Sequence, residues 1–248
     1  MSAAETLDPR TLAALRAVDT PTICNALEIV MGSRTARGFT RSPVVASNPA
    51  LPPMVGFART AILRCSEPSS QPPEVVRQRR LDYYAYVANG SGPAGGLGPA
   101  GGLRPTVVVI EDGDGHPGLG AFWGEVNVAI HKGLGVAGCL TNGSMRDLGA
   151  IDPSFPILAG SVSPSHAYVR VVAIDAPVTV FGLRVHPGDL VHADRHGAVV
   201  IDPAFLPDLP RAIDTVARKE APILAAARAD GFDLETLLRA WGESEDVH

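Results

Sequence analysis

The sequence predicts an α/β fold. Three observations carry this: amphipathic segments at both ends, a central block of short continuous apolar runs, and turn chemistry between them. The chain has 248 residues, 46% hydrophobic and 19% charged. That length suits one large domain or two small ones, and the apolar share excludes a wholly disordered chain. Glycine (26) and proline (22) together make up about a fifth of it, so tight turns are frequent.

The first helix opens at Asp8-Pro9, with aspartate as cap and proline at the first helical position. Leu12, Leu15 and Val18 form its apolar stripe. Thr20-Pro21 opens a second, with Ile23, Ala26, Leu27 and Val30 at helical spacing, and Gly32 ends it. After a turn-rich stretch to Pro53, Val55–Cys65 reads as a strand and Pro68–Pro73 as a loop. Glu74–Ala88 reads as a helix with Val76, Tyr83, Tyr84 and Val87 inward. Next, Gly92–Leu97 (GPAGGL) recurs letter for letter at Gly98–Leu103. This repeat has no side chain with chemistry and reads as a loop, with a mobile lid as its functional alternative.

Regular alternation begins at Thr106. Thr106–Ile110 and Val136–Thr141 are apolar runs expected of buried strands, the second stopped by Asn142-Gly143. Between them lie a glycine-rich loop (Glu111–Gly120) and a helix expected over Ala121–Lys132. Further strands are expected at Ile157–Ala159, Tyr168–Ile174, Val178–Phe181, Leu190–Ala193 and Ala198–Ile201. Asp194-Arg195-His196-Gly197 reads as a hairpin turn. Helices close the chain at Leu209–Ala229 and Leu234–Trp241, with Pro222 expected to kink or split the first.

Composition narrows the function. The net charge is −5 with no basic stripe, which disfavours nucleic acid as a partner. No run of about 18 apolar residues occurs, so no membrane-spanning helix is expected. Met1–Arg10 lacks the apolar stretch of a secretory signal, and the expected location is cytoplasmic. Cys24, Cys65 and Cys139 are far apart and form no C-x-x-C pair. They read as small buried hydrophobes in a reducing compartment.

Gly113 to Gly118 formally matches G-x-G-x-x-G between a strand and a helix. Three features argue against a dinucleotide site. Pro117 stiffens the turn, the next strand ends in Asn142 rather than an acid, and the strand-rich second half is not βαβ repetition. No nucleotide cofactor is expected. The loop leads to a helix start at Gly124-Glu125-Val126-Asn127, where backbone N–H groups suit an anion such as a carboxylate. Gly124 would let a ligand approach the backbone. Asn142 to Asp147 lies beyond the carboxyl end of a buried strand, a common place for ligands. There Arg146 is a fork for a carboxylate and Asp147 a hard oxygen ligand for a magnesium-like ion. The seven histidines show no metal-binding spacing and read as structural, with His166 the least committed. His192 and Asp194 could share a strand face.

The segment Gly118–Asp202 resembles the RraA-like family. The matching stretches are Trp123-Gly124-Glu125, Gly138–Asp147 (GCLTNGSMRD), Phe155-Pro156, Val185–Leu190 (VHPGDL) and Ala193–Val200 (ADRHGAVV). Cys24–Leu27 (CNAL) and Val55–Thr60 (VGFART) look like the family's earlier landmarks. The resemblance implies one RraA-like domain over 1–248, with N-terminal helices about 8–31, a core about 55–202 and C-terminal helices about 208–242. It implies a layered αββα sandwich resembling the swivelling phosphohistidine-like domain, assembled as a homotrimer or a hexameric dimer of trimers. The family includes class II pyruvate aldolases that cleave 4-hydroxy-4-methyl-2-oxoglutarate and 4-carboxy-4-hydroxy-2-oxoadipate. It also includes a regulator of ribonuclease activity, and many members carry a methyltransferase label.

Residue by residue, the resemblance makes Arg146 the group that holds the pyruvyl carboxylate and keto oxygen. It makes Asp147 a direct ligand of Mg²⁺ or Mn²⁺ and Glu125 an acid that acts on the metal through water. The backbone of Gly124, Glu125, Val126 and Asn127 becomes the cradle for the substrate carboxylate. Glu220 is matched, on rough spacing, to an acid from a neighbouring subunit. The implied activity is a divalent-metal-dependent carbon–carbon lyase acting on 4-hydroxy-2-oxo acids, with oxaloacetate decarboxylation as a companion. Two alternatives stand beside it: a lyase or hydratase on another 2-keto acid, and a non-catalytic protein-binding regulator of a ribonuclease. Three departures bear on the substrate. Ala150 stands where the aldolase pattern has an acid, with Asp152 just beyond. Asn25-Ala26-Leu27 replaces Asp-Ala-Leu, and the glycine–proline loop Gly90–Pro105 is longer than usual.

Overall fold

The computed structural model describes residues 6–90 and 103–247. The GPAGGL repeat therefore lies outside the described residues, except for Leu103. The N-terminal helices are α1 (Pro9–Arg16) and α2 (Thr20–Met31). Asp8 caps α1, accepting from the N–H groups of Arg10 and Thr11. α2 starts at Thr20 as expected and is capped by Asp19, which accepts from the Thr22 N–H (3.0 Å), while the Thr20 N–H donates to Asp194 (2.8 Å). Gly32 ends α2 at φ +66°, a conformation that favours glycine.

The middle of the chain contributes β1 (Val45–Ala46), β2 (Met54–Arg64), α3 (Pro73–Gly90) and β3 (Thr106–Asp112). Next come β4 (Ala121–Trp123), α4 (Glu125–Gly133), β5 (Val136–Thr141) and β6 (Ser144–Met145). Short strands follow: β7 (Ile157–Ala159), β8 (Ser161–Val162), β9 (Arg170–Ile174), β10 (Val178–Val180), β11 (Leu183–Val185), β12 (Leu190–Asp194) and β13 (Gly197–Ile201). The C-terminal helices are α5 (Leu209–Arg228) and α6 (Leu234–Glu245). Two expectations are corrected. The helix expected from Ala121 begins instead at Glu125, preceded by strand β4. Pro222 does not split α5, which runs through it. Packing of Leu209, Ala212 and Val216 against α2 holds the helix in place.

The result is a mixed α/β fold with a curled sheet. Its strand order is β1-β7-β5-β3-β2-β12-β13. The β7-β5-β3-β2 core is parallel, and the other pairs are antiparallel. The length of β2 serves two partners on one edge: β12 pairs with residues 54–57 and β9 with 61–64. Period-two alternation divides the faces. Ala61, Leu63, Val108 and Ile110 pack beneath α3 and α4, against Tyr83, Val87 and Val128. Val55, Phe57, Leu190 and Ile201 pack against α1, α2 and α5. On the other face Ala58, Val107, Val109 and Leu140 meet the β10–β11 hairpin. The expected Asp194–Gly197 turn joins β12 to β13.

Among the described residues no helix is long and apolar enough to cross a membrane. The three cysteines are free; burial pushes the Cys24 thiol up to about 11 and the Cys65 thiol up to about 12. The described histidines include three with plain structural work. His192 and Asp194 do share a face, and both reach Thr20, fastening the start of α2 to β12. His196 bonds the other Asp194 oxygen. His131 is fully buried, between the Tyr83 hydroxyl and the Asn127 carbonyl (2.6 Å each).

His131 makes stability pH-dependent. Burial pushes its pKa down to about 4, from an ordinary value of 6.5. Between those values the unfolded chain binds a proton that the native chain refuses, so stability falls as pH drops from 6.5 to 4. The expected loss is about 3 kcal/mol over that window. Asp19, whose pKa the Thr22 hydroxyl holds low, acts only further down. Urea unfolding at stepped pH checks this: His131→Gln reduces the slope between 6.5 and 4, and the part that remains includes His192, whose pKa burial also lowers.

Candidate functional site

Pairing of β4 with β6 builds the site. The two strands run parallel, with Ala121 opposite Ser144 and Trp123 opposite Met145. The ladder continues one step, as the Arg146 N–H donates to the Trp123 carbonyl (2.8 Å). Whatever follows β4 must therefore lie beside whatever follows β6. Gly124 and the first turn of α4 follow β4; Arg146 and Asp147 follow β6.

Gly124 is buried, and its missing side chain is a requirement. A β-carbon there would sit 2.5 Å from the Asp147 Oδ2 and 3.2 Å from the Arg146 Cγ. As N-cap it supplies no side-chain bond to α4. The Asp147 Oδ2 does so instead, accepting from the Glu125 N–H (3.2 Å), and it lies 3.5 Å from the Arg146 Nε. A carboxylate at this place also meets the positive end of the helix dipole. Asp147 itself has φ +58°, the left-handed region that aspartate and asparagine enter more readily than other β-carbon residues. Its carbonyl accepts from the Ala150 and Ile151 N–H groups, closing the turn that holds it there.

Two carboxylate-and-amide clamps set the loops below. The Asn142 side chain accepts from the Asp112 N–H (2.7 Å) and donates to the Asp112 carbonyl (3.0 Å), joining the ends of β3 and β5. Cys65, Asp112 and Asp114 form a group whose donor atoms lie within 4.8 Å of one another. The acids in it are already committed. Asp112 accepts from the Asp114 and Gly118 N–H groups, and Asp114 from those of Cys65 and Ser66. The thiol beside them stays protonated, raised by burial and then by Asp112. This group ties loop 113–120 to the end of β2 and so delivers the chain to β4.

A cavity of about 620 Å³ opens beside the Arg146–Asp147 pair. Of the residues nominated from sequence, Gly124, Val126, Asn127, Arg146 and Asp147 line it. Glu125 is exposed and outside its wall. Glu220 lies on α5 in a separate depression with Asn25, Glu28 and Lys219, and on its own chain takes no part. Asp152 does not stand in for the acid absent at Ala150. It is paired with Lys132 at 2.5 Å and with Ser154, contacts that hold its carboxyl well below the usual range. His166 lines the cavity wall.

The sequence reading missed one wall. Arg77, Arg80 and Tyr84 of α3 line the cavity too. The Tyr84 hydroxyl donates to the Asn127 Oδ1 (2.5 Å), and the Asn127 amide donates to the Phe122 carbonyl. Their i, i+3, i+7 spacing was the available signal, but a charged stripe on a helix ordinarily faces solvent.

The donor set suits a hard cation. Asp147 offers a carboxylate whose Oδ1 has no partner among the described residues, and Glu125, whose N–H bonds to Asp147, adds a second exposed carboxylate. One or two carboxylates completed by water and substrate is the usual way a protein holds Mg²⁺.

Residues 102–200 match the family model "RraA-like", described as Aldolase/RraA. A Burkholderia mallei (strain SAVP1) protein named "Putative 4-hydroxy-4-methyl-2-oxoglutarate aldolase" is 34% identical over 101 residues, 40% of this chain and 61% of that protein. A Burkholderia pseudomallei (strain K96243) protein of the same name matches equally. The match thus spans about three fifths of the length of these curated relatives. Among solved structures, an uncharacterized protein from Pseudomonas syringae pv. tomato superposes with a TM-score of 0.68 at 19% identity, over 96% of this chain and 97% of that one. Streptomyces coelicolor RraAS2, described as an unusual member of the RNase ES inhibitor RraA protein family, gives 0.62 at 23%, over 91% and 99%. These structural likenesses carry the fold. The RraA-like resemblance read from the sequence is borne out over residues 102–200.

The left-handed turn at Asp147 yields a stability prediction. Asp147→Asn keeps a side chain suited to φ +58° and stays within about 0.5 kcal/mol of the parent. Asp147→Ala places an ordinary β-carbon there and costs about 1 kcal/mol more. Urea denaturation of both variants measures the difference.

Proposed function

From the premise that residues 102–200 are RraA-like, we propose that the chain is a divalent-metal-dependent class II pyruvate aldolase. Its substrates are 4-hydroxy-2-oxo acids bearing further carboxylates, and oxaloacetate decarboxylation is a companion activity. The observation that carries this reading is Asp147 held against the start of α4 with Arg146 beside it, at a cavity mouth. The curated relatives' name supports it.

The proposed roles follow from the geometry. Asp147 would hold the ion through its unpartnered oxygen, with Glu125 as the second acid of the site. When bound, Mg²⁺ or Mn²⁺ supplies Lewis acidity at the substrate's 2-keto acid end. Arg146 places a fixed positive charge at the keto oxygen, where negative charge develops as the C3–C4 bond breaks. The released electron pair makes the enolate of pyruvate, which gains a proton at C3. The first-turn N–H groups of Val126 and Asn127 receive the substrate carboxylate, while Gly124 leaves the room for Asp147 and Arg146 beside them. Glu125, at the rim, orients the water that takes the 4-hydroxyl proton. Oxaloacetate needs the same charge stabilisation and no 4-hydroxyl, which is why decarboxylation accompanies cleavage.

Assembly belongs to the same reading. Val126 (72% exposed), Leu148 and Tyr168 are apolar and exposed around the mouth. A second copy of the chain would cover such a surface in a homotrimer or hexamer, and would bring in Glu220. The proposal also takes the helices, sheet and β10–β11 hairpin as the layers of a swivelling-type αββα sandwich.

Purified protein with Mg²⁺ or Mn²⁺ is expected to release pyruvate from 4-hydroxy-4-methyl-2-oxoglutarate and from oxaloacetate. A coupled lactate dehydrogenase assay reads it. A chelator abolishes the release, and Asp147→Asn lowers kcat by about 100-fold or more. Absence of pyruvate from every such substrate, or an unimpaired Asp147→Asn, rejects the aldolase reading.

A further inference from the structure

The cavity is far more basic than the protein around it. The chain carries a net charge of −5, yet four arginines (Arg77, Arg80, Arg146 and Arg170) line this one cavity against a single carboxylate, Asp147. Two of the four are accounted for. Arg146 lies against Asp147, and Arg170 donates to the carbonyls of Glu67 and Tyr168. The other two are not. Among the described residues neither Arg77 nor Arg80 has an ion-pair or hydrogen-bond partner.

Their position is nonetheless defined. The Arg80 guanidinium lies over the Phe122 ring, 5.4 Å from its centroid, which steadies the planar group at the cavity wall. Tyr84, one turn further along α3, is bonded to Asn127 in the first turn of α4. Tyr83 beside it is bonded to the buried His131. The helix is therefore pinned to the keto-acid end of the site at Tyr84. From there Arg80 stands about 6 Å along the helix axis and Arg77 about 10 Å. Two unpaired guanidinium forks, stepped away from Asn127 along one wall, form a ladder for negative charge that lies beyond the first carboxylate.

We propose that Arg77 and Arg80 form a distal carboxylate subsite, selecting 2-oxo acids with a second carboxylate at the far end over monocarboxylic ones. The assignment rests on the reading that the Asp147 end takes the 2-keto acid. It names the residues that set the substrate class and gives the 620 Å³ cavity, too large for pyruvate alone, its remaining occupant.

Binding can be tested apart from turnover. Isothermal titration of the protein in Mg²⁺ compares 2-oxoglutarate with 2-oxopentanoate, which differ only in a carboxylate or a methyl group at the far end. The expected preference for 2-oxoglutarate is about tenfold or more, the usual worth of a charge-assisted hydrogen bond. In Arg77→Gln/Arg80→Gln that preference vanishes. Both positions face the cavity or solvent, and a matching thermal unfolding curve confirms the fold. Equal affinities in the parent, a preference that survives the double substitution, or no binding of either acid overturns the subsite. The outcomes separate from those of the aldolase assay. Preference without pyruvate release leaves the subsite standing and removes the aldolase; release without preference does the reverse.

Discussion

The parallel pairing of β4 with β6 is the contact on which the site depends. It involves only five residues, two of them opposed in register pairs with two more. Yet it decides that the start of α4 and the Arg146–Asp147 dipeptide become neighbours, though they are separated by a full helix and strand. Its final bond, from the Arg146 N–H to the Trp123 carbonyl, leaves Gly124 directly against the two charged side chains. Breaking that register by one residue would turn Arg146 and Asp147 to the opposite face.

Much of the surrounding structure serves to keep this contact in place. Asn142 joins β3 to β5 by pairing its amide with both backbone groups of Asp112. The carboxylates of Asp112 and Asp114 collect the N–H groups of the loop that leads into β4. From the other side, α3 is bolted to α4 by Tyr83–His131 and Tyr84–Asn127. Buried polar groups are costly unless bonded, and these are spent on holding loops rather than on chemistry. That separates the chain's titratable residues into two populations. His131, His192, Asp112 and Asp194 are buried and committed, while Asp147, Glu125 and the α3 arginines are accessible and under-committed.

The same division explains why an acidic protein presents a basic cavity. Several acids elsewhere are paired or used as caps: Asp8 and Asp19 at helix starts, Asp152 with Lys132, Asp214 with Arg218. Among the described residues the cavity wall has no such partners for Arg77 and Arg80. In a concave, partly desolvated setting a few unpaired guanidinium groups outweigh the net charge of the whole chain for any anion that enters.

The strands of the core were legible in the sequence because a buried parallel strand has few alternatives: Thr106–Ile110 and Val136–Thr141 are mostly apolar and carry no charge, and both appear where expected. Local cap chemistry likewise announced α1 and the end of α2. Arg146, Asp147 and Gly124 stood out because they follow a strand or open a helix. Strand β4 was hidden, since three residues (AFW) have no measurable period and their partner lies more than twenty positions on. Arg77 and Arg80 were hidden for the opposite reason: their spacing is plain, but a charged helical stripe normally meets water, and only the docking of α3 on α4 turns it toward a cavity. The sequence by itself determined the helices and the longer core strands, and it marked Gly124, Arg146 and Asp147 as candidates for chemistry. The tertiary structure alone decided which of those residues meet, because that choice rests on pairings between segments distant in the chain, and no local propensity records them.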